Sequence, residues 1–539
     1  MAQLVVAPGS ARGLLYTCRM RLGWLLGLTA ALGLSCSHNV GSGGKNGGGN
    51  NVGGVGGGGG GAGGLDGGGG GVGGSGGGGG GGAGGVGGSG GGSGGVDGGA
   101  GGGLTLDPEI VTLLGHIDAT SIGKDINTLA GFGTRNSCSD NSGAGGKGIG
   151  AARDWVKAQF SALAGLQVAT DSFSVACGNG NNTIQNVVAW LPGAHPNRVI
   201  LIGGHYDSRT INVLDGTSPA PGANDSGSQT AVVLAAARAL VGHSFAATLV
   251  FVAFAGEEQG LIGSKNLATT LPSYVGAGAS VDAVLNCDIV GGDNSVNDAA
   301  SLQQFRLYSP GTPREIMAPD GTTDDTSPAR DLMRTIAAWG NAYVPTMTIV
   351  PKLREDRPGR GGDHESFLDK GIPGVRFIET NESPNAGTTA SHQHSPNDLA
   401  QFVTPAYSAR VGAIVVAVAA GLARAPTAPQ SPMASGSAVA GATLSWSAPA
   451  SGAPVDHYVV VGRDVGENFY HNRVIVPASA TSKLVSAAAL GIADSTAFFV
   501  TVAAVDAKGH ESQFAYPEYR CDATSCIVPA GALNVTTRN

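Results

Sequence analysis

Five short stretches of the chain collect residue types that bind metals and move protons. In VILIGGHYDS an apolar run ends and His205 and Asp207 follow. Residues two apart on an extended chain share a face. The imidazole can therefore ligate a metal while the carboxylate accepts a hydrogen bond from nearby backbone or from the second ring nitrogen. PGANDSGS puts Asp225 in a Gly-rich loop at the start of a helix, a place for a ligand or for a helix N-cap. FVAFAGEEQGLIGS sets Glu257 and Glu258 directly after an apolar run. Adjacent carboxylates repel unless cations or protons intervene, so one can hold a metal while its neighbour faces a water. AVLNCDIVGGD places Asp288 between Cys287 and Ile289, a costly position for a carboxylate that is neither paired nor coordinated. SHQHSPND supplies His392 and His394, with Asp398 four residues beyond the second. Nitrogen and oxygen donors of this kind suit zinc or a similar divalent ion.

The elements that must position these donors alternate between strand and helix patterns. Residues 187–191, 198–203, 248–255, 283–287, 346–350 and 374–378 read as strands. The run TLVFVAFA is apolar throughout, as for a strand covered on both faces. Residues 229–240, 261–267, 328–339 and 405–422 read as helices. This alternation predicts an α/β domain over 104–425, a mixed, mainly parallel sheet sandwiched by helices. In such sheets ligands gather beyond the carboxyl ends of the strands, where the five stretches fall. A Pro-rich hinge is expected at 426–430, then a small all-β sandwich over 431–520 built on strands at 443–446, 457–461 and 498–504, and a tail over 521–539.

Of 539 residues, 94 are Gly, and 44 of those lie in 41–103. That segment has too few side chains to offset the entropy of ordering, so its composition predicts a flexible linker over 37–103 spanning about 40–50 Å. Ahead of it, Arg19 and Arg21 precede an apolar run at 22–34 and then Ser35-Cys36. This is the layout of an export signal over 1–36, with Met20 an alternative start. Cys36 resembles the acylated Cys of a bacterial lipobox, although Gly33 stands three positions before it where such motifs carry Leu. The chain is thus expected to be exported, either as an outer-membrane or cell-surface lipoprotein attached through Cys36 or as a secreted protein.

Net charge is −8, charged residues make up 13%, and no block of five basic residues occurs, which argues against nucleic acid as a partner. Cysteine usage fits an oxidising compartment. Cys138 with Cys177, and Cys521 with Cys526, are candidate disulfides, and Cys287 reads as an inert core thiol. No motif sets the oligomeric state.

Taken in order, HYDS, GANDSGS, GEEQGLIGS, CDIVGGD, DHESFLDKGIP and HSPND resemble the M28 family of co-catalytic dizinc peptidases. The likeness runs from GFGTR, residues 131–135, to the helix ending near Leu422. It implies a zinc-exopeptidase fold and two zinc ions per chain. Asp225 bridges them in that scheme, His205 and Asp288 complete one site, and Glu258 and His394 complete the other. Glu257 is then the general base, and Asp207 orients His205. Peptide or protein N-termini are the implied substrate, with Glu257 and Asp288 near the free α-amino group. Carboxypeptidase or glutaminyl-cyclase chemistry on the same scaffold, and a non-catalytic binder, remain as alternatives. Some relatives carry Tyr where Gln393 stands. His364 is expected to support the pocket, and Arg354, Arg357 and Arg360 either to do the same, to contact substrate or to pair structurally with Asp and Glu. The β-module resembles fibronectin type III, with Trp446 and Tyr458 on successive strands and Phe498 or Phe499 where that family has Tyr.

Overall fold

The computed structural model describes residues 104–178, 180–312, 326–356, 360–383, 392–493 and 496–529. The export signal, Cys36, the Gly-rich segment and Arg357 lie outside them. Three helices, α1 (Pro108–Leu114), α2 (Ala119–Gly131) and α3 (Gly148–Ser161), precede the sheet. The strands that follow are β1 (Gln167–Cys177), β2 (Gly180–Leu191), β3 (His195–His205), β4 (Ala247–Phe254), β5 (Ser280–Cys287), β6 (Gln304–Tyr308), β7 (Thr348–Lys352) and β8 (Gly374–Glu379). Between and after them run α4 (Gln229–Leu240), α5 (Ile262–Thr270), α6 (Pro272–Val275), α7 (Pro328–Tyr343), α8 (His364–Leu368) and α9 (Pro405–Arg424).

The eight strands form one sheet in the order β1-β2-β4-β3-β5-β8-β6-β7. Its central run β4-β3-β5-β8 is parallel, while β1 and β2 add an antiparallel edge. Every residue of β4 is buried, because helices cover both faces. On β3 the alternation is plain. Ile200 and Ile202 pack with α4 and α9 in the larger core, whereas Val199 and Leu201 face Leu267 and Phe367 in the second. Each fully buried aliphatic side chain contributes about 1.5–3 kcal/mol of transfer free energy, so this two-sided burial fixes the strand register. The helix α9 is long and apolar enough to cross a membrane, yet it is a core helix, 78% buried over its most apolar window. The disulfide Cys138–Cys177 ties the loop after α2 to the edge strand β1.

Beyond α9 come β9 (Gln430–Ser437), β10 (Gly441–Ser447), β11 (Val455–Asp464), β12 (Arg473–Pro477), β13 (Ser482–Val485), β14 (Phe498–Asp506), β15 (Tyr519–Cys521) and β16 (Cys526–Ile527). They form a three-stranded sheet, β13-β10-β9, and a five-stranded sheet, β12-β11-β14-β15-β16. Leu444 and Trp446 of the first pack on Tyr458, Val460 and Val502 of the second. One expected boundary shifts, and the Pro-rich segment is tied down. The sheet runs past residue 520, because β15 and β16 pair as a hairpin closed by Cys521–Cys526. The Pro-rich segment is pinned at Thr427, whose N donates to the Ser451 carbonyl at 2.9 Å, rather than left as a free hinge.

The β-module is joined to the α/β domain by buried charge. Glu518 accepts from Arg463 at 2.7 and 3.1 Å, and Arg334 of α7 lies 3.9 Å away. Arg334 also pairs with Asp331 at 2.8 Å. The side chains of Arg334, Arg463 and Glu518 are wholly buried. A second junction sets His510 between Asp107 and Asp506, 2.7 Å from each, and Arg424 also reaches Asp107 at 2.7 Å.

Candidate metal centre

Because β4, β3, β5 and β8 are parallel neighbours, their carboxyl ends open on one edge of the sheet. His205 ends β3, Asp288 follows β5, and Glu257 and Glu258 lie just past β4. His394 comes from the connection between β8 and α9, and Asp225 from the connection between β3 and α4. Asp225 sits in a π-helical turn, Ala223–Ser228, at φ −108°. It does not cap a helix: α4 starts at Gln229 behind Ser228. Gly222 begins this turn at φ +51°, and a Cβ there would lie 2.5 Å from the Asp225 carbonyl oxygen, so the tight approach needs glycine.

The structure brings all five predicted donors together. His205 Nε2 lies 3.3 Å from Asp225 Oδ1 and 3.6 Å from Asp288 Oδ1. His394 Nε2 lies 3.1 Å from Asp225 Oδ2 and 3.4 Å from Glu258 Oε2. The donor atoms of His205, Asp225 and Asp288 fall within 4.8 Å of one another, as do those of Asp225, Glu258 and His394. Asp225 is the shared member. Its Oδ1, like Glu258 Oε1, is closed to solvent and accepts no hydrogen bond. Buried carboxylate oxygens in that state call for a cation. With one imidazole and two carboxylates in each triad, the donor set fits zinc.

Neighbours hold the donors in place. Asp207 accepts from the backbone N of Glu257 at 3.3 Å and of Glu258 at 3.2 Å, and its own carbonyl meets His205 Nδ1 at 3.1 Å. Asp398 accepts from the N of Asn224 at 2.7 Å and of Asp225 at 2.9 Å. Burial, offset in part by those bonds, pushes its carboxyl up to about 7. The wholly buried Arg135 of GFGTR donates to the carbonyls of Tyr206, Leu129, Pro221 and Gly222, knitting the β3 end to the Asp225 turn. His394 and Ile289 both sit at φ +54°, a conformation that costs about 1–3 kcal/mol for a non-glycine residue and collects at functional sites.

Charge explains the electrostatics. Burial, with repulsion from Glu258, Asp288 and Asp363, drives the Glu257 carboxyl well above the carboxylate range against the pull of His205. Burial also opposes ionisation of Asp225, but the two histidines outweigh it and hold that carboxyl well below its ordinary value. Burial would lower His205, yet Glu257, Asp207, Asp225 and Asp288 raise it well above its usual range. This is an environment that demands positive charge.

Other side chains that the sequence singled out surround the donors. His392 stays outside the cluster, bonded to Asp293 at 3.1 Å and stacked on Phe402 at 3.7 Å. Gln393 donates to Asp225 Oδ2 at 3.0 Å, so it braces the shared carboxylate. Arg354 bonds to the carbonyls of Glu355 and Asp356, and Arg360 pairs with Asp356 and Glu382. Arg360 nevertheless lines the cleft of about 310 Å³ that opens over the donors. Two contributors escaped the sequence reading. Arg376 holds Asp288 at 2.8 Å and Arg209 holds Glu258 at 2.6 Å. Arg209 directly follows HYDS and Arg376 interrupts an apolar strand, the signal that could have exposed them.

Residues 186–419 match peptidase family M28. A probable zinc metalloprotease of Pyrenophora tritici-repentis is 34% identical over 397 residues, covering 69% of this chain and 89% of its own length. Among solved structures, the LapA aminopeptidase of Legionella pneumophila is similar at 21% identity and a TM-score of 0.44, covering 58% of this chain and 74% of that one. A glutaminyl cyclase of Macrostomum lignano is similar at 21% identity and 0.43, covering 58% and 91%. With two His–carboxylate triads sharing Asp225 at the carboxyl edge of the sheet, and a relative matched over nearly its whole length, the chain belongs to peptidase family M28 as a zinc metallopeptidase.

Proposed function

We propose that the cleft is a two-zinc aminopeptidase centre releasing N-terminal residues from peptides. The observation that carries this is the Asp225 carboxylate, one oxygen 3.3 Å from His205 and the other 3.1 Å from His394. Asp225 would be shared by both ions, with His205 and Asp288 completing one set and His394 and Glu258 the other. When bound, such ions supply polarisation of the scissile carbonyl and acidification of a water.

The chain's own residues do the rest. Glu257, half-buried in the cleft wall beside the donors, accepts the attacking water's proton on its carboxylate and passes it to the departing amine. Arg209 keeps Glu258 aimed by a charge-assisted bond, Arg376 sets a counter-charge beside Asp288, and Asp207 fixes the Glu257–Glu258 backbone. The carboxylates of Glu257 and Asp288 give the substrate's free ammonium group a counter-charge, which favours an exopeptidase reading over cleavage within a chain. Two disulfides support the expectation of an exported protein.

The test is Glu257→Gln in the full-length protein, assayed on aminoacyl, N-blocked and N-terminal glutamine peptides alongside metal analysis. Zinc content should stay at the parent's level while aminoacyl hydrolysis falls at least ~100-fold. Near-parental turnover in the variant refutes the role of Glu257. Parental turnover confined to blocked peptides, or ring closure of N-terminal glutamine without hydrolysis, refutes the aminopeptidase assignment.

A further inference from the structure

We infer that residues 210–214, the loop directly after HYDSR, form an apolar lip of the cleft that receives the second and third residues of a peptide substrate. With the cleft taken as an aminopeptidase centre, on which the direction assigned to the chain rests, the favoured substrates are peptides whose N-terminal residue is followed by apolar ones.

Ile211, Val213 and Leu214 are 60%, 37% and 41% exposed. Among the described residues no other four-residue stretch leaves two large apolar side chains in water. Single exposed apolar residues are ordinary, but a cluster of them beside a ligand cleft marks a contact surface. Residues 210–214, Thr-Ile-Asn-Val-Leu, carry no charge. They therefore complement an apolar chain rather than an acidic or basic one.

The loop's backbone is tied down while these side chains are left outside. The Val213 carbonyl accepts from Asn136 Nδ2 at 3.0 Å and from Gln259 Nε2 at 2.9 Å. Asp215 accepts from the N of Thr217 and of Ser218, each at 3.0 Å, which closes the far end of the loop. Gly216 packs so tightly on the Cys138–Cys177 corner that a Cβ there would run into the Cys138 carbonyl. A surface held in place beforehand loses little conformational entropy when a ligand settles on it.

One guanidinium joins the lip to the metal donors. Arg209 lines the cleft. Its Nε donates to Glu258 Oε2 at 2.6 Å, and its Nη1 donates to the carbonyls of Thr210 at 3.2 Å and Ile211 at 3.4 Å. Gln259, which anchors Val213, directly follows Glu258. The lip thus borders the triad of Asp225, Glu258 and His394, whereas Asp288, a counter-charge for the substrate's ammonium group, belongs to the other triad. A peptide with its amino end at Asp288 and its first carbonyl between the triads sends its remaining residues past Glu258 and Arg209, over Ile211 and Leu214.

The experiment is calorimetric titration of full-length, zinc-loaded Glu257→Gln protein with two peptides that share an N-terminal leucine, one continuing Gly-Gly and the other Leu-Phe. The Leu-Phe peptide should bind about 5–10-fold tighter. That gap should close when Ile211→Ser and Leu214→Ser are added, and persist with Ile211→Leu and Leu214→Ile instead. Both side chains are exposed, so the serine variant should keep its fold and its zinc content. Binding is read without turnover, so the result is separate from the reading of the cleft, whose own failure shows as hydrolysis confined to blocked peptides. Equal affinity for the two peptides, or a gap that survives the serine replacements, overturns the proposal. So does a serine variant that changes the protein's sedimentation and leaves the gap intact, which would make the loop a contact between copies of this chain.

Discussion

Replacing Glu518 by Gln tests whether buried charge joins the β-module to the α/β domain. Two guanidinium groups, Arg334 and Arg463, meet two carboxylates, Asp331 and Glu518, and none of the four side chains is more than 2% exposed. Glutamine keeps the volume, but it offers one acceptor where Glu518 offers two and turns an NH2 group towards Arg463. One positive charge is left without compensation in a site shielded from water. Breaking a buried pair from one side costs about 3–5 kcal/mol. Burial holds the Asp331 carboxyl up at about 7, in the presence of Glu518 and against the pull of Arg334. Loss of Glu518 should therefore lower that value and recover part of the cost. The assay is urea unfolding at pH 8, with limited proteolysis reporting whether the β-module loosens first. The companion variant Arg463→Met/Glu518→Leu removes one charge of each sign and leaves Arg334 with Asp331, so it should be less damaging than Glu518→Gln alone. A Glu518→Gln loss below 1 kcal/mol, or a double variant worse than the single, refutes uncompensated charge as the cause.

Two further outcomes follow from the same geometry. Asp398→Asn presents an amide NH2 to one of the two backbone N–H groups that Asp398 now accepts, so the Asp225 turn should loosen. Zinc affinity should fall about 10–100-fold, read by competition with a chelating dye, whereas unchanged affinity would show that the turn is held without Asp398. Cys138→Ser opens a disulfide spanning a sequence separation of 39; chain entropy puts the loss near ~4 kcal/mol, measured as a lower urea midpoint with the cleft's metal content intact.

The sequence made the central strands and the chemical residues legible for one reason: burial on both faces leaves an unbroken apolar run, and each run stops where a polar donor begins. TLVFVAFA ahead of Glu257 is the clearest case, and β4 covers almost the same residues. The edge strand β1 was hidden because its face is only half covered, so QVATDSFSVAC mixes polar and apolar residues without a strict period. β6 is short, five residues, and its Arg306 broke the apolar pattern. The donors were readable one by one, but their convergence was not. His205 and Asp225 are joined by a loop of 19 residues, and only the neighbouring order of β4, β3, β5 and β8 carries His205, Glu258 and Asp288 to one edge. Asp225 was left between ligand and N-cap because local sequence does not reveal that the helix begins four residues later.

His510 lies between Asp107 and Asp506, and Asp107 also caps α1 through the N of Glu109 at 2.8 Å. A side chain near the end of the described chain thus clasps the start of its first helix. Ribosomal synthesis delivers Asp107 some four hundred residues before His510, so this contact can close only after β14 is made. The catalytic body is completed from its far end, and a nascent chain halted in the β-module before His510 would hold every cleft donor while lacking the latch.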